Sequence, residues 1–389
     1  MRVLTLSTLF PSPARTAFGR FVAAQTAALA ARGDVAVTVI NPVGLPPFPL
    51  SRGTAYRAAR KTPARSSADG FDVYHPRFTL LPLIGGDSNP ARIVRAVLPL
   101  ARRMHAAAPF DLVDAQFFFP DGPASAAIAR ALGLPLAIKA RGSDIHYWGT
   151  RPNAAAQMLE AAAQADQLLA VSAALAGDMA ALGMPADGIA VHYTGLDHAR
   201  FQPVPRAAAR AQLPGIPPHG PLLTVPGALI AIKGQRLAIE ALSELPDATL
   251  ALAGAGSDEP ELRTLAARLG LGDRVHFLGQ VEHDALPRLL AASDVVVLPS
   301  QREGLANAWI EALACGTPLV IPDVGGAREV IRTPSAGRIA ARNAAAIAAA
   351  VREVLAAGYS QAEVAANAAR FSWQTNAAQL AAHYARIAG

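Results

Sequence analysis

Short apolar runs alternate with longer alanine-rich segments along most of the chain. The runs are five or six residues long and rich in Val, Leu and Ile, as is typical of buried strands, and the segments between them favour helices. They read "VLTLST", "VAVTVI", "LVDAQF", "PLAIKA" and "QLLAVS", then "LLTVPG", "TLALAG", "VHFLG", "VVVLPS" and "PLVIP". Strands that alternate with helices form parallel sheets, so two such series predict two Rossmann-like α/β domains.

A proline-rich stretch with little periodicity, "DHARFQPVPRAAARAQLPGIPPHGP", separates the two series. It predicts an N-terminal domain over residues 1–198, a linker over 199–220 and a C-terminal domain over 221–368. The remaining segment, residues 369–389, has helical character, and we expect it to pack back on the N-terminal domain.

The composition indicates a soluble protein that has no membrane span. The chain has 389 residues, of which 52% are hydrophobic, and this is enough to fill two cores. No uncharged apolar stretch reaches the length of a transmembrane helix, and the opening "MRVLTLSTLF" predicts a first strand instead of a signal peptide. The single cysteine, Cys315, excludes an intramolecular disulfide and is expected to fill the core.

The positive charge is concentrated in the first half. Residues 1–200 hold 19 Lys and Arg against 13 Asp and Glu, whereas residues 201–389 hold 16 of each kind. Five basic residues follow one another without an intervening acid until Asp69: Arg52, Arg57, Arg60, Lys61 and Arg65. This patch suits anionic lipid headgroups or a charged acceptor, or else it is a solvated loop. Nucleic acid is not expected, because no aromatic-interleaved basic platform is present.

Two carboxylates mark the block "PSQREGLANAWIEALACGTP" in the second half. The block joins two strand-like runs, so its first turn lies at the carboxyl end of a strand, where α/β sheets bind ligands and free N–H groups attract anions. Glu303 precedes the predicted helix and Glu311 lies within it, and the two could contact different parts of one elongated anionic ligand. The alternative is that both acids simply face water, with Glu303 favoured by the helix dipole.

Further candidate residues follow other predicted strands. Lys233 lies in "GALIAIKGQ", where an ammonium can meet a diphosphate, unless it is an ordinary surface lysine. Gly254 forms a glycine turn that allows close approach of a nucleotide. In the N-terminal domain, Gly19 follows the first strand, and "IKARGSDIHYWG" places Arg141 and Asp144 after another; a plain turn and a helix N-cap are the alternatives for Gly19 and Asp144. No metal-binding motif or nucleophile elbow is present, so no metal is implied.

These motifs together resemble the family 4 retaining glycosyltransferases. The resemblance covers nearly the whole chain, and its most specific part is the Glu-x7-Glu block followed by "ACGTP"; "RGSDI" with the preceding "PDG" is similar to the bacterial surface-polysaccharide branch. It also includes "FPSPARTAFGRFV", "VSAAL", "YTGLDHARF", "VHFLGQV" and the closing "FSW". The resemblance implies the GT-B fold, with two Rossmann-like domains facing across a cleft and a C-terminal helix that crosses back to the first domain.

The resemblance also implies a role for each candidate residue. Glu303 would hold hydroxyls of the donor sugar, and Glu311 would accept from the ribose hydroxyls. Lys233 would neutralise the diphosphate, with Gly19 approaching it from the other domain. Arg141 stands where many relatives carry an active-site His, and Asp144 lies beside it near the acceptor. A cradle for the distal phosphate and sugar would come from the backbone of Gly304, Leu305, Ala306 and Asn307.

The chain departs from the family pattern at three places. Ala228 and Ile232 stand where many relatives have arginines, so one or two diphosphate cations are missing, and "DAQ", residues 114–116, replaces a common His-Ala-His. The first departure keeps open a catalytically inactive nucleotide-sugar-binding subunit, and a nucleotide-sugar epimerase is a further alternative.

The function that the sequence predicts is hexosyl transfer with retention of configuration. The donor would be a nucleotide-diphosphate sugar and the acceptor a polysaccharide or a lipid-linked saccharide. No cofactor or metal is expected. The protein is expected to be cytoplasmic, with peripheral contact to the inner face of the membrane through its basic N-terminal domain.

Overall fold

The computed structural model describes residues 1–16, 18–68, 70–81 and 85–389, which form two compact units. The N-terminal unit comprises residues 1–195 and 373–389, and the C-terminal unit comprises residues 196–372. Each unit contains a largely parallel sheet with helical crossovers, and this confirms the predicted pair of Rossmann-like α/β domains.

The sheet of the N-terminal unit is parallel except at one edge. The strands of the unit are β1 (Arg2–Leu6), β2 (Ala36–Ile40), β3 (Val43–Leu45), β4 (Arg65–Ala68), β5 (Phe71–Tyr74), β6 (Arg77–Thr79), β7 (Leu112–Ala115), β8 (Leu136–Ala140), β9 (Gln167–Ala170) and β10 (Ile189–Val191). Its first helices are α1 (Arg20–Ala30), α2 (Arg57–Lys61), α3 (Asn89–Ala107), α4 (Asp121–Leu132), α5 (Pro152–Gln164) and α6 (Ala173–Ala181). Among the described residues the strand order is β10-β9-β8-β7-β1-β2-β5-β4, with β4 antiparallel, and β3 pairs with β6 separately.

The sheet of the C-terminal unit is parallel throughout, in the order β13-β12-β11-β14-β15-β16. The unit consists of α7 (Arg206–Arg210), β11 (Leu222–Pro226), α8 (Gln235–Leu242), β12 (Thr249–Ala253), α9 (Glu259–Arg268), β13 (Val275–Phe277), α10 (Leu286–Ala292), β14 (Val295–Val297), α11 (Asn307–Ala314), β15 (Leu319–Ile321), α12 (Ala327–Val330), β16 (Gly337–Ile339), α13 (Ala344–Ala357) and α14 (Gln361–Ala365). Every residue of β11, β12 and β14 is buried, because helices cover both faces of the sheet.

Residues 199–220, expected as a linker, are part of the C-terminal unit. Helix α7 packs on α10, and the Arg210 side chain is only 6% exposed. Its guanidinium donates to the Ala292 carbonyl and to the Asp294 carboxylate, the latter at 2.6 Å. A buried guanidinium needs such partners, so these contacts fix the proline-rich segment to the domain that follows it.

The last helix, α15 (Trp373–Ala388), belongs to the N-terminal unit, where it packs on α1. Leu380 and Tyr384 are buried in the same core as Val22 and Leu29 of α1. The sequence prediction of a C-terminal helix on the first domain is therefore confirmed. Among the described residues, no helix combines the length and the apolar character needed to cross a bilayer.

Candidate active site

Two loops at the carboxyl edge of the C-terminal sheet rest on each other. The loop after β11 carries Lys233 on a short 3-10 turn, which Gly234 ends with a φ of 73°. A Cβ on Gly234 would lie 2.3 Å from the carbonyl oxygen of Pro299, in the loop after β14. The Gln301 N–H also donates to the Ile232 carbonyl at 2.7 Å. Glycine is thus required at position 234 for the two loops to come together.

This packing brings two predicted catalytic residues into contact. Lys233 Nζ donates to Glu303 Oε1 at 2.6 Å, and the two side chains are 27% and 11% exposed. Because both are partly shielded from water, their attraction is stronger than that of a typical surface ion pair. A ligand at this point would meet an ammonium and a carboxylate that already hold each other in place.

Glu311 lies on α11 and has no such partner. Among the described residues, no group donates a hydrogen bond to its carboxylate, and burial raises the pKa of Glu311 to about 7. An ionised carboxylate in this setting is costly unless a ligand donates to it. Glu311 therefore has the character of a binding group that awaits hydroxyl or N–H donors.

The predicted phosphate cradle lies between these two acids. Gly304 and Leu305 are buried, and the Gly304 carbonyl accepts from the Gly326 N–H at 2.8 Å. After Ala306, helix α11 begins at Asn307 without a side-chain cap, which leaves N–H groups of its first turn for water or an anion.

Gly254, at the end of β12, packs against another backbone segment. A Cβ here would lie 1.9 Å from the Gly227 carbonyl oxygen, so the fold itself requires this glycine. Its contact with a nucleotide stays a prediction.

Arg342 is a further cation at this edge that the sequence reasoning missed. It follows β16, its Nε donates to the Pro299 carbonyl at 2.9 Å, and its Nη2 is 3.4 Å from the position that a Cβ on Gly234 would take. Ala228 and Ile232 supply no charge near Lys233, but Arg342 brings one from the other end of the sheet. No sequence motif indicates Arg342, because the strand before it, β16, reads "GRI" and lacks an apolar run.

In the N-terminal unit, Arg141 directly follows β8 and is held by two glutamines. Its Nη2 donates to the side-chain carbonyls of Gln25 and Gln116, and its Nε donates to the Gln116 backbone carbonyl at 3.2 Å. The Phe21 ring centroid is 5.2 Å from the guanidinium carbon. Burial lowers the pKa of Arg141 to about 10, and among the described residues Nη1 has no hydrogen-bond partner.

The two glutamines that hold Arg141 belong to a larger network of buried polar side chains. Gln116 accepts from Gln25 Nε2 at 2.7 Å and donates to the Asp114 carboxylate at 2.7 Å. Lys139 Nζ donates to Gln25 Oε1 at 3.1 Å and lies 2.8 Å from His192 Nδ1. Of the residues that depart from the family's His-Ala-His, Gln116 thus bonds to the arginine directly, and Asp114 bonds to Gln116. Sequence reasoning missed this network, since its members are far apart in the chain.

The carboxylate of Asp144 accepts hydrogen bonds from backbone N–H groups of its own loop and of the loop after β7. Its carboxylate accepts from the N–H groups of Phe118, Arg141, Gly142 and Ile145. Burial raises the pKa of Asp144, and these four hydrogen bonds oppose that rise. The geometry thus gives Asp144 the task of ordering the loop that carries Arg141, and leaves it no free oxygen for a substrate proton.

Gly19, before α1, is likewise required by the fold. It has a φ of 70°, and a Cβ there would lie 2.5 Å from the Leu9 carbonyl oxygen. Over the part of the chain that the structure describes, no cluster of three His, Cys, Asp or Glu side chains is placed to hold a metal ion.

The two Rossmann-like units place the protein in the GT-B fold class. Residues 19–200 match the family described as Glycosyltransferase Family 4, and residues 210–371 match the Glycosyl transferases group 1. The chain belongs to the family 4 glycosyltransferases.

Similar curated proteins include D-inositol 3-phosphate glycosyltransferases of actinobacteria. That of Mycolicibacterium gilvum is 36% identical over 206 residues, which cover 51% of this chain and 46% of the relative. That of Geodermatophilus obscurus is 33% identical over 259 residues, which cover 62% and 57%. The chain thus spans about half the length of the curated relatives it matches.

Solved structures similar to this chain extend over its whole length. HepE of Anabaena in complex with UDP has a TM-score of 0.74 at 23% identity and covers 100% of both chains. Sucrose-phosphate synthase of Thermosynechococcus elongatus has a TM-score of 0.78 at 20% identity, with 100% and 99% covered. At these identities the likeness shows the GT-B fold alone.

Proposed function

We propose that the protein transfers a hexosyl residue from a nucleotide-diphosphate sugar to a polysaccharide or lipid-linked saccharide, with retention of configuration and without a metal. The observation that carries this proposal is the contact between Lys233 and Glu303, together with the carboxylate of Glu311, which accepts no hydrogen bond among the described residues. A cation suits the diphosphate, and two separate carboxylates suit two sets of hydroxyls.

In the proposed reaction, the bond between the anomeric carbon and the diphosphate oxygen breaks while the acceptor oxygen bonds to the same face of that carbon. The acceptor proton passes to the departing phosphate oxygen. Lys233 and the N–H groups of residues 304–307 stabilise the charge that grows on the diphosphate. Glu303 holds the sugar hydroxyls and Glu311 the ribose hydroxyls.

In the N-terminal unit, Arg141 would act near the acceptor, with Asp144 keeping its loop in shape. Gly19 and Gly254 would contact the donor through their backbone atoms.

The similar proteins support a nucleotide-sugar donor. HepE of Anabaena has been solved with UDP, with UDP and glucose, and with UDP-glucose. The curated relatives are named as glycosyltransferases that act on D-inositol 3-phosphate. These names favour transfer over epimerisation.

The test is nucleoside diphosphate release from a panel of nucleotide sugars, with and without saccharide acceptors and with EDTA. We expect acceptor-dependent release that EDTA leaves unchanged, and a product whose anomeric configuration by NMR equals that of the donor. Binding without release would favour the inactive subunit, which the uncharged Ala228 and Ile232 motivate. A changed sugar without release would favour an epimerase.

We also propose that the protein is cytoplasmic and that its N-terminal unit rests on the anionic inner face of the membrane. Phe48 and Leu50 are 71% and 62% exposed, beside the exposed cations Arg52, Arg57 and Lys61. Apolar side chains with nearby cations suit an anionic bilayer. Sedimentation with phosphatidylglycerol vesicles should be lost on changing Phe48 and Leu50 to Ser, but kept after Leu269→Ser, an exposed apolar control in the other unit.

A further inference from the structure

A cavity of about 420 Å³ lies in the N-terminal unit, beside the loops that follow β1 and β2. Its volume is within the range of small-molecule pockets, roughly 300 to 1,000 Å³. The largest side chains of its wall belong to Phe10, Phe18, Tyr56, Phe78 and Leu80. None of the residues that we assign to the reaction lines this cavity.

Two polar groups in the wall lack partners of their own. Arg15 is the only charged residue of the lining; its guanidinium carbon lies 3.4 Å from the Phe18 ring centroid, and within the described ranges no carboxylate pairs with it. Asn89 Oδ1 is buried and has no hydrogen-bond donor among the described residues. The exposed guanidinium of Arg15 has no carboxylate in the described part of the chain that competes for it, and a buried acceptor such as Asn89 Oδ1 is costly when unpaired, so the cavity suits a ligand that brings an anion and a hydroxyl.

The apolar wall narrows the choice of ligand. A free saccharide has little apolar surface to place against the aromatic side chains of the wall, and free phosphate would make no use of them. A molecule with a hydrocarbon part next to a phosphate satisfies both the aromatic wall and Arg15.

The rim of the cavity continues into the exposed apolar and basic surface. Tyr56 and Ala59 line the cavity, whereas Arg57 and Lys61 of the same short segment are exposed. Phe48, in the loop before this segment, is 71% exposed. The hydrocarbon of a ligand in the cavity would therefore lie next to a surface that suits a bilayer.

We infer that the cavity binds the phosphate end of a lipid-linked acceptor. The first part of the lipid chain packs against the aromatic wall and the phosphate lies at Arg15. A hydroxyl of the ligand donates to Asn89 Oδ1. This inference rests on the proposed transferase function and names its acceptor as a lipid phosphate instead of a free polysaccharide.

The first test fills the cavity. Farnesyl phosphate is titrated into the full chain by calorimetry, below its aggregation concentration. Ala59→Trp should weaken binding at least tenfold, whereas Ala58→Trp, on an exposed neighbouring position of α2, should change it less than twofold. Circular dichroism confirms the fold of both variants. Equal affinity of the two variants would place farnesyl phosphate on the outer surface and overturn the proposal.

The second test removes the cation. Arg15→Gln should weaken farnesyl phosphate at least tenfold and farnesol less than twofold, with Arg130→Gln as an exposed control. Inorganic phosphate and free glucose should not bind. An equal loss for farnesol and its phosphate, or saccharide binding that Ala59→Trp abolishes, would contradict the assignment of phosphate and lipid.

The two proposals can fail separately. Transfer to a soluble saccharide that Ala59→Trp leaves intact, without binding of farnesyl phosphate, would refute the lipid acceptor while keeping the transferase. Farnesyl phosphate binding that depends on Ala59 and Arg15, with no nucleoside diphosphate binding or release, would keep the lipid site and refute the transferase.

Discussion

The candidate site residues of the two units differ in how far the fold satisfies their ionisable groups. In the N-terminal unit, Arg141, Lys139 and Asp114 lie in one network with Gln25 and Gln116, and most of their polar atoms are satisfied within the fold. In the C-terminal unit, by contrast, the carboxylate of Glu311 has no donor among the described residues.

This difference predicts which substitutions change the stability of the fold and which change ligand binding. A buried charge that its own fold satisfies contributes mainly to structure, because removing one partner leaves another unpaired. A buried carboxylate that nothing satisfies weakens the unliganded fold and gains its partner from a ligand. We therefore expect substitutions in the N-terminal network to act first on stability, and those at the C-terminal edge to act first on binding and rate.

The largest expected effect at the C-terminal edge is that of Lys233→Ala. We expect transfer to fall at least a hundredfold, about 3 kcal/mol or more, because charge grows on the departing diphosphate and the nearest ammonium is lost. Kinetics under saturating donor measure this effect. Thermal unfolding should change little, since Lys233 lies on a loop.

Substitution of Arg342 tests whether Lys233 is the main cation that stabilises the departing diphosphate. Arg342→Ala should cost less than Lys233→Ala, and Arg263→Ala, an exposed control, should cost almost nothing. Ala228→Arg in the Lys233→Ala background should recover part of the rate. A greater loss for Arg342→Ala would transfer the main cationic role to the residue after β16.

The predictable parts of the fold are the strands with a strong apolar signal. The run "VVVLPS" contains β14, and all of β14 is buried. Strand β4, "RSSA", is polar and lies at the sheet edge, and β16, "GRI", has one apolar side chain, so neither gave a pattern that could be distinguished from a loop. Proline content alone predicted a linker at 199–220, but the burial of Arg210 depends on Asp294, which is distant in sequence.

The candidate site, like the fold, could be predicted from the sequence only in part. Strand-end position and residue type were enough to select Lys233, Glu303 and Glu311, but their contacts depend on which loops the parallel order brings together. Its position after a strand made Asp144 a candidate site residue, and the family resemblance placed it near the acceptor. Its four backbone donors come partly from Phe118, which follows a different strand, and no local pattern in the sequence indicates this.

Within the N-terminal network, Gln116→Leu should cost about 2 to 3 kcal/mol in free energy of unfolding. The change leaves Gln25, Arg141 and Asp114 without a shared partner in a buried setting. Denaturant titration of this variant and of Gln164→Leu, whose amide is near the surface, measures the difference. A loss of activity at full stability would place Gln116 in the chemistry and break the contrast between the units.

Glu311→Gln should weaken nucleoside diphosphate binding by about 1.5 to 3 kcal/mol, because the ribose hydroxyls lose a charged acceptor. Since burial raises the pKa of Glu311 to about 7, the wild-type affinity should increase from pH 6 to pH 8 more steeply than that of the variant. Calorimetry with the same ligand cancels the titration of its phosphates. Glu303→Gln should mainly lower turnover.

The same raised pKa makes Glu311 a cost to the unliganded fold. The unfolded carboxyl ionises near its ordinary pKa of 4.5, whereas the folded one keeps its proton until about 7, so stability falls as the pH rises through this window. Glu311→Gln should therefore unfold at a higher temperature than the wild type at pH 8 without ligand. An unchanged diphosphate affinity would show that the ribose is held elsewhere.

The smallest expected effect concerns Lys139, which is fully buried. Burial, with help from nearby Arg141, lowers the pKa of Lys139 well below its ordinary value of 10.5. The neutral amine can donate to His192 Nδ1, because His192 Nε2 lies 2.9 Å from the Asn376 carbonyl and is placed to donate there.

At a pH above the lowered pKa of the folded Lys139 and below its ordinary value of 10.5, the unfolded chain binds a proton at Lys139 that the folded protein does not, so stability rises with pH from this residue. One proton contributes at most about 1.4 kcal/mol per pH unit. In denaturant titrations at pH 7, 8 and 9, the free energy of unfolding of the wild type should rise with pH more steeply than that of Lys139→Met. Titratable groups that do not interact with Lys139 are common to both proteins and cancel in the difference, and burial already lowers the pKa of its neighbours His192 and His383. Parallel slopes would mean that Lys139 stays charged beside Asp114, and the N-terminal unit would then hold a buried ion pair instead of a neutral amine.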